Sequence, residues 1–142
     1  MKRKGSAVWS GGLKDGKGTV SSESGALSNI PYSFSARFES GVGTNPEELV
    51  AAAHAGCFSM ALSNILGEAN LKANRIETTA TATLEKTAAG FTVTGVHLEV
   101  AAQVPNADQA TLERLAGQAK TGCPISRLLN ANVTMEARLL PG

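Results

Sequence analysis

The chain has 142 residues, with 13 Lys plus Arg against 12 Asp plus Glu, a length suited to one domain with a substantial core. A net charge of +1, with no basic tract beyond Met1-Lys2-Arg3-Lys4, speaks against nucleic acid or an anionic membrane surface as a partner. No apolar run comes after that basic start, so it is not read as a secretory signal. No uninterrupted run of about 18 apolar residues suggests a membrane span. The expected setting is cytoplasmic, where thiols are kept reduced.

Residues 1–43 are rich in Gly and Ser. "AVW" and "GTVSSESGAL" read as short strands joined by Gly turns. "IPYSFSARF" alternates, which predicts a further strand with Tyr32, Phe34, Ala36 and Phe38 on one face and Ser33, Ser35 and Arg37 on the other. "GTNPEEL" then starts a helix. Asn45 caps it, Pro46 suits the first helical position, and Glu47 and Glu48 suit the positive end of the dipole. The helix is expected to run to about residue 69, roughly 36 Å at the usual rise. Ala51, Ala52, Ala53, Ala55, Gly56, Ser59 and Ala61 crowd it with small side chains, which predicts a central, buried helix that another backbone can approach closely.

Residues 75–104 alternate as a hairpin, with Ile76, Ala80, Ala82 and Leu84 on one face and Glu77, Thr79, Thr81 and Thr83 on the other. "NADQATLERLAGQAK" reads as a second amphipathic helix, capped by Asp108, with Leu112, Leu115, Ala116 and Ala119 inward. Gly122 ends it, and Cys123-Pro124 opens a short helix. "NVTMEARLL" is a last strand. The expected class is α+β in one domain. Aromatic residues are 4% of the chain, so the core is thin, and a core shared within an oligomer would help it.

The chain has two cysteines, Cys57 in mid-helix and Cys123 at a helix start. Each is open to being inert packing, half of a disulfide or a working thiol. A purely structural disulfide is disfavoured in the cytoplasm. With His54 and His97 the cysteines form no zinc-ligand spacing. At Cys123, unpaired N–H groups and the helix dipole favour a thiolate. Cys57 lacks that help and has only His54, three residues back on the same face; His54 reads equally as a core histidine. Glu47 lies ten residues before Cys57, about 15 Å along the axis. If both serve one site, a second chain must bring the Glu or another residue must bridge. Otherwise Glu47 is a helix-terminal charge.

"GTNPEELVAAAHAGCFSMALS" together with "AGQAKTGCPIS" closely resembles the OsmC/Ohr family over nearly the whole chain. The resemblance implies an OsmC/Ohr-like α+β fold and one OsmC-like domain over residues 1–142. Residues 1–43 would form a β-meander contributing to an intertwined homodimer, and residues 44–142 a helix, hairpin, helix and strand core. It implies a thiol peroxidase for organic hydroperoxides, with two active sites at the subunit interface. Matched position by position, Cys57 would be the peroxidatic cysteine, Cys123 the resolving one, and Glu47 the Glu of "NPE". The catalytic cation would be Arg37 on the strand before the long helix, as in the OsmC branch. The Ohr alternative places it near the N-terminus, where this chain offers Lys14 and Lys17 in "GGLKDGKGT". His54 also resembles the OsmC branch, and the chain is placed there. The implied partners are the hydroperoxide and an external thiol or dithiol reductant, with no cofactor and no metal. Phe58, Met60 and the aromatics of "YSFSARF" could line an apolar vestibule or be plain core. Two rival readings keep the fold: a non-enzymatic ligand-binding stress protein, and a thiol redox sensor.

Overall fold

The computed structural model describes residues 1–142. The chain divides into two compact units, Met1–Leu49 and Val50–Gly142.

The first unit is built on an antiparallel sheet in the order β1 (Gly5–Ser10), β2 (Lys17–Ser22) and β3 (Ile30–Tyr32). The register places Trp9, Gly18 and Tyr32 in one row across the three strands. The Trp9 and Tyr32 rings meet over the glycine, with centroids 5.4 Å apart. A Cβ at position 18 would come within 2.4 Å of the Tyr32 ring and 2.6 Å of the Trp9 ring, so only Gly permits the pairing.

After Tyr32 the chain departs from the expected strand. Ser33 caps a short helix, α1 (Phe34–Phe38), its hydroxyl accepting from the Ala36 N–H at 3.1 Å. Phe34 and Phe38 still share a face, with ring centroids 4.9 Å apart. A spacing of four satisfies both the strand and the helix period, and the Ser cap decides between them. Arg37 therefore stands on a helix, not on a strand.

The long helix α2 spans Pro46–Glu68. Its start is as expected: Asn45 Oδ1 accepts from the Glu48 N–H at 2.8 Å. Its end closes on Asn70, whose φ of 58° is left-handed. The Leu71 N–H reaches the Leu66 carbonyl at 2.9 Å and the Asn70 N–H reaches Gly67 at 3.0 Å, a paired closure of otherwise orphaned carbonyls.

One expectation about this helix needs correction. Within the chain it is not buried all round. His54, Phe58, Leu62 and Leu66, spaced by four, are its buried residues, while Ala52, Ala53, Gly56, Met60 and Gly67 are exposed. The helix is also long and apolar enough to cross a membrane, with a mean hydropathy of 1.5 over an 18-residue window. The apolar run is not unbroken, because His, Ser and Asn interrupt the helix without adding charge. A core helix of a soluble protein has the same composition.

The second unit contains β4 (Arg75–Thr87), β5 (Gly90–Gln103), α3 (Gln109–Gly122), α4 (Pro124–Leu128) and β6 (Asn132–Leu139). The sheet order is β4-β5-β6. β4 and β5 form the expected antiparallel hairpin, while β5 and β6 are parallel. A parallel neighbour requires a crossover, which α3 and α4 provide. β4 and β6 alternate between half-buried and exposed positions, as for a sheet with one face on the core. Phe58, Leu62 and Leu66 share that core with Leu98, Val100, Leu112 and Leu115. Burying each such side chain contributes about 1.5–3 kcal/mol. Asp108 caps α3 as expected, accepting from the Thr111 N–H at 2.8 Å.

Leu62 is fully buried, and Leu62→Ala is expected to lower unfolding stability by about 2–5 kcal/mol in urea titration. The hydrogen bonds from Thr111 hold the Asp108 carboxyl below the usual carboxylate range. A carboxylate with a folded pKa below its unfolded one adds stability above the unfolded value and loses it as pH falls through the folded one. Asp108→Asn keeps a capping oxygen and does not titrate, so its stability should fall less than that of the unsubstituted protein on acidification through that range.

Candidate functional site

In the second unit the structure brings Cys57 and Cys123 together. Cys57 lies on α2, one residue before the buried stripe position Phe58, and is half-buried; Cys123 is fully buried. Cys123 occupies the joint between two helices, C-cap of α3 and N-cap of α4. Its N–H donates to the Ala119 carbonyl at 2.9 Å, and its carbonyl accepts from the Arg127 N–H at 3.1 Å. The thiol is thus anchored from both sides by helix hydrogen bonds. Cys57 packs against the buried core cluster that holds Cys123, and both thiols are free.

Their surroundings push them apart. Burial raises the Cys57 thiol above its ordinary pKa, and the hydrogen bond and charge of Cys123 raise it further; the Ile125 N–H pulls the other way. Burial also opposes ionisation of Cys123. There the Ser126 N–H, the Cys57 thiol, the Ile125 N–H and the Ser126 hydroxyl outweigh it, and the pKa falls below the ordinary thiol value. Of the two thiols, Cys123 is the one whose surroundings favour ionisation. The reading of Cys123 as the more acidic thiol agrees with this. Cys57 needs a cation to react as a thiolate.

His54 is not that cation. It is fully buried, and burial lowers its pKa, so it is neutral at pH 7. Its Nε2 lies 2.7 Å from Ser126 Oγ, while its Nδ1 is buried without a partner. Sequence reasoning weighed His54 but passed over Ser126. The available signal was a hydroxyl three residues after a cysteine at a helix start, where N–H groups and short side chains converge.

In the first unit the structure pairs Arg37 with Glu47. Arg37 Nε and Nη2 donate to Glu47 Oε1 at 3.0 and 2.7 Å, and Nε also reaches Oε2 at 3.2 Å. Glu47 is largely buried while Arg37 keeps 37% of its side-chain exposure, so the fixed carboxylate orients a guanidinium that still faces outward. The Asn45 amide donates to the Ala36 carbonyl at 3.1 Å and ties the two helix ends that carry the pair. Arg37 also lies 5.2 Å from the Phe38 ring centroid. A cavity of about 280 Å³ opens here, lined by Trp9, Leu13, Tyr32, Phe34, Arg37 and Phe38 among others. Its wall is mostly apolar, with Ser33, the Tyr32 hydroxyl and the Arg37 guanidinium as polar groups. Of the two lysines weighed as alternatives, Lys14 sits 6.0 Å above the Phe34 ring centroid and Lys17 begins β2. A larger hollow, about 390 Å³, lies on the second sheet and is lined by Glu77, Glu99, Glu136 and Arg138; it holds neither thiol.

Residues 39–138 match the family of OsmC-like proteins. The chain is 50% identical over 137 residues to the peroxiredoxin OsmC of Escherichia coli, spanning 96% of both chains. It is 31% identical over 123 residues to the organic hydroperoxide resistance protein OhrB of Bacillus subtilis, spanning 86% of this chain and 88% of that one. The crystal structure of the same OhrB superposes with a TM-score of 0.72 at 28% identity, covering 96% of this chain and 98% of that one.

Two free thiols held in one core should oxidise readily to each other. Mild oxidation with diamide is expected to give an intramolecular Cys57–Cys123 disulfide, seen by mass spectrometry as a monomer lacking two thiol hydrogens. Cys57→Ser and Cys123→Ser should each abolish it.

Proposed function

The chain belongs to the OsmC family, and on that premise we propose that it is a thiol peroxidase that reduces organic hydroperoxides to alcohols through Cys57 and Cys123. The observation that carries the reading is the pair of free thiols brought into one core, Cys57 packed against the cluster that holds Cys123. The relatives named as peroxiredoxin and as organic hydroperoxide resistance proteins support the same activity.

The proposed cycle begins with Cys57 as a thiolate, its proton released. The thiolate attacks the terminal oxygen of R–O–O–H, the O–O bond breaks, and RO⁻ leaves to take up a proton as the alcohol. Cys57 is left as a sulfenic acid. The Cys123 thiolate attacks that sulfur and expels hydroxide, which leaves as water, and a Cys57–Cys123 disulfide forms. An external thiol or dithiol reduces it in two exchange steps. The depressed acidity of Cys123 suits the second step, because a thiolate is the attacking form.

Arg37 is the proposed cation of the first step. A guanidinium beside a desolvated thiolate is far more effective than one in water, and the same group stabilises charge spreading over the peroxide oxygens. Glu47 supplies orientation through its charge-assisted pair. The apolar cavity beside Arg37 suits an organic substituent better than hydrogen peroxide. The reading includes a homodimer with active sites at its subunit interface. It is supported by exposed Val8, Leu13, Val42 and Met60 and by the exposed small-residue face of α2. A cytoplasmic setting, which keeps thiols reduced, fits the same cycle.

The test is thiol titration under nitrogen before and after one equivalent of cumene hydroperoxide. Two thiols should be lost and the alcohol released, and Cys57→Ser should do neither. Survival of both thiols would sink the reading. Arg37→Ala should slow peroxide-dependent oxidation by about 10²–10³-fold, and Arg37→Lys should recover little of it, because an ammonium lacks the two-pronged geometry.

A further inference from the structure

Arg37 and Glu47 stand on two helices, α1 and α2, joined by residues 39–45, a loop that contains Gly41 and Gly43. α1 has five residues, too few to hold its shape unaided. Thr44 fixes the start of α2 to β3, its N–H donating to the Pro31 carbonyl at 2.9 Å. One side chain then joins the two helices. Asn45 Oδ1 accepts from the Glu48 N–H at 2.8 Å, and Asn45 Nδ2 donates to the Ala36 carbonyl at 3.1 Å. That carbonyl lies near the end of α1, where helix carbonyls need outside partners.

The two bonds fall on particular peptide groups. The Glu48 N–H belongs to the peptide that follows Glu47, and the Ala36 carbonyl belongs to the peptide that precedes Arg37. The other side of the Ala36–Arg37 peptide is held as well, since the Arg37 N–H donates to the Ser33 carbonyl at 3.1 Å. A single planar amide thus grips, at its two ends, the backbone that carries the guanidinium and the backbone that carries its carboxylate. The side-chain pair, with Nη2 2.7 Å from Oε1, closes the ring. Among the usual capping residues this double hold requires asparagine. Aspartate and serine cap a helix about as well, but an aspartate brings no donor, and serine has one oxygen where two atoms are needed. We propose that Asn45 is a positioning residue for Arg37: its oxygen caps α2, its amide N–H fixes the Ala36 carbonyl, and together they set the guanidinium against Glu47.

The use of this arrangement in turnover rests on the peroxidase reading above. Nε and Nη2 of Arg37 are engaged with Glu47, which leaves the Nη1 end of the guanidinium for the peroxide oxygens. Where that end points follows from the plane of the group. The plane is set by the spacing of two tied backbones rather than by the rotamers of a long side chain. A misplacement of about 1 Å in such a group can slow a reaction by about a hundredfold.

The test reads Arg37 directly and needs no peroxide. Asn45→Asp and Asn45→Ser keep the cap of α2 and lose the donor to Ala36. In both, the urea midpoint should stay near its original place. Exchange of the Arg37 Nε–H with water, followed by ¹⁵N NMR, should quicken by about tenfold, toward the rate in Glu47→Gln. Asn45→Ala loses the cap as well, and should quicken the exchange and lower the midpoint together. An unchanged exchange rate in the two cap-keeping variants overturns the proposal and leaves Asn45 a cap alone. Exchange that quickens only in proportion to a lowered midpoint overturns it too. With cumene hydroperoxide, the same two variants should lose thiols about tenfold more slowly. Quickened exchange with an unchanged peroxide rate would leave the positioning of Arg37 standing and remove Arg37 from the peroxide step, so the two readings fail separately.

Discussion

The joint at Cys123 governs the chemistry of the second unit. α3 ends on this residue and α4 begins on it, so its backbone serves two helices at once. Pro124 makes the turn permanent, because it offers no N–H to continue α3 and its fixed φ suits the first position of α4. The same joint sends the chain back toward the sheet, so that β6 can lie parallel to β5. A thiol that depended on a flexible loop would meet Cys57 only part of the time. Here the partner is held by a buried helix junction, and the N–H groups of Ile125 and Ser126 come with it.

That arrangement divides labour between two residues of one chemical type. Burial penalises ionisation of both thiols, yet only Cys123 is surrounded by enough donors to overcome it. Cys57 sits in mid-helix, where the backbone N–H groups are already engaged. In the first unit, the pairing of Arg37 with Glu47 holds a guanidinium in place. It is oriented by a largely buried carboxylate and still exposed on one side. A lysine could carry the charge but not the fixed plane.

Much of this was legible in the residues. Asn45, Pro46 and the two acids announced α2, Asp108 announced α3, and the alternation over residues 75–104 announced the hairpin, because each signal has one physical meaning at its position. "YSFSARF" misled because Phe34 and Phe38 are four apart, a spacing that both periods share, and Ser33 tipped the balance through a single hydrogen bond. The burial of α2 was overstated because small side chains reveal that a face can be approached, not that this chain supplies what approaches it. At the site, the two cysteines and the Arg37 and Glu47 pair were visible as residue types and motif positions. The contact of His54 with Ser126 was not. It spans 72 positions of sequence, and no local pattern reports so distant a partner.

The composition of α2 has a consequence for how the protein comes into being. As it leaves the ribosome, Pro46–Glu68 carries the apolar window of a membrane-spanning helix, and nothing in the nascent segment marks it otherwise. The difference is made by the next stretch of chain to emerge. β4 begins at Arg75, seven residues after the helix ends at Glu68, and the hairpin it opens supplies Val96, Leu98 and Val100 to the core that receives Phe58, Leu62 and Leu66. The cover for the buried stripe is thus encoded in the next elements of the chain, while the rest of the helix surface stays exposed within it. Delay in synthesis of that hairpin would leave the helix exposed to membranes and to other chains for as long as the delay lasts.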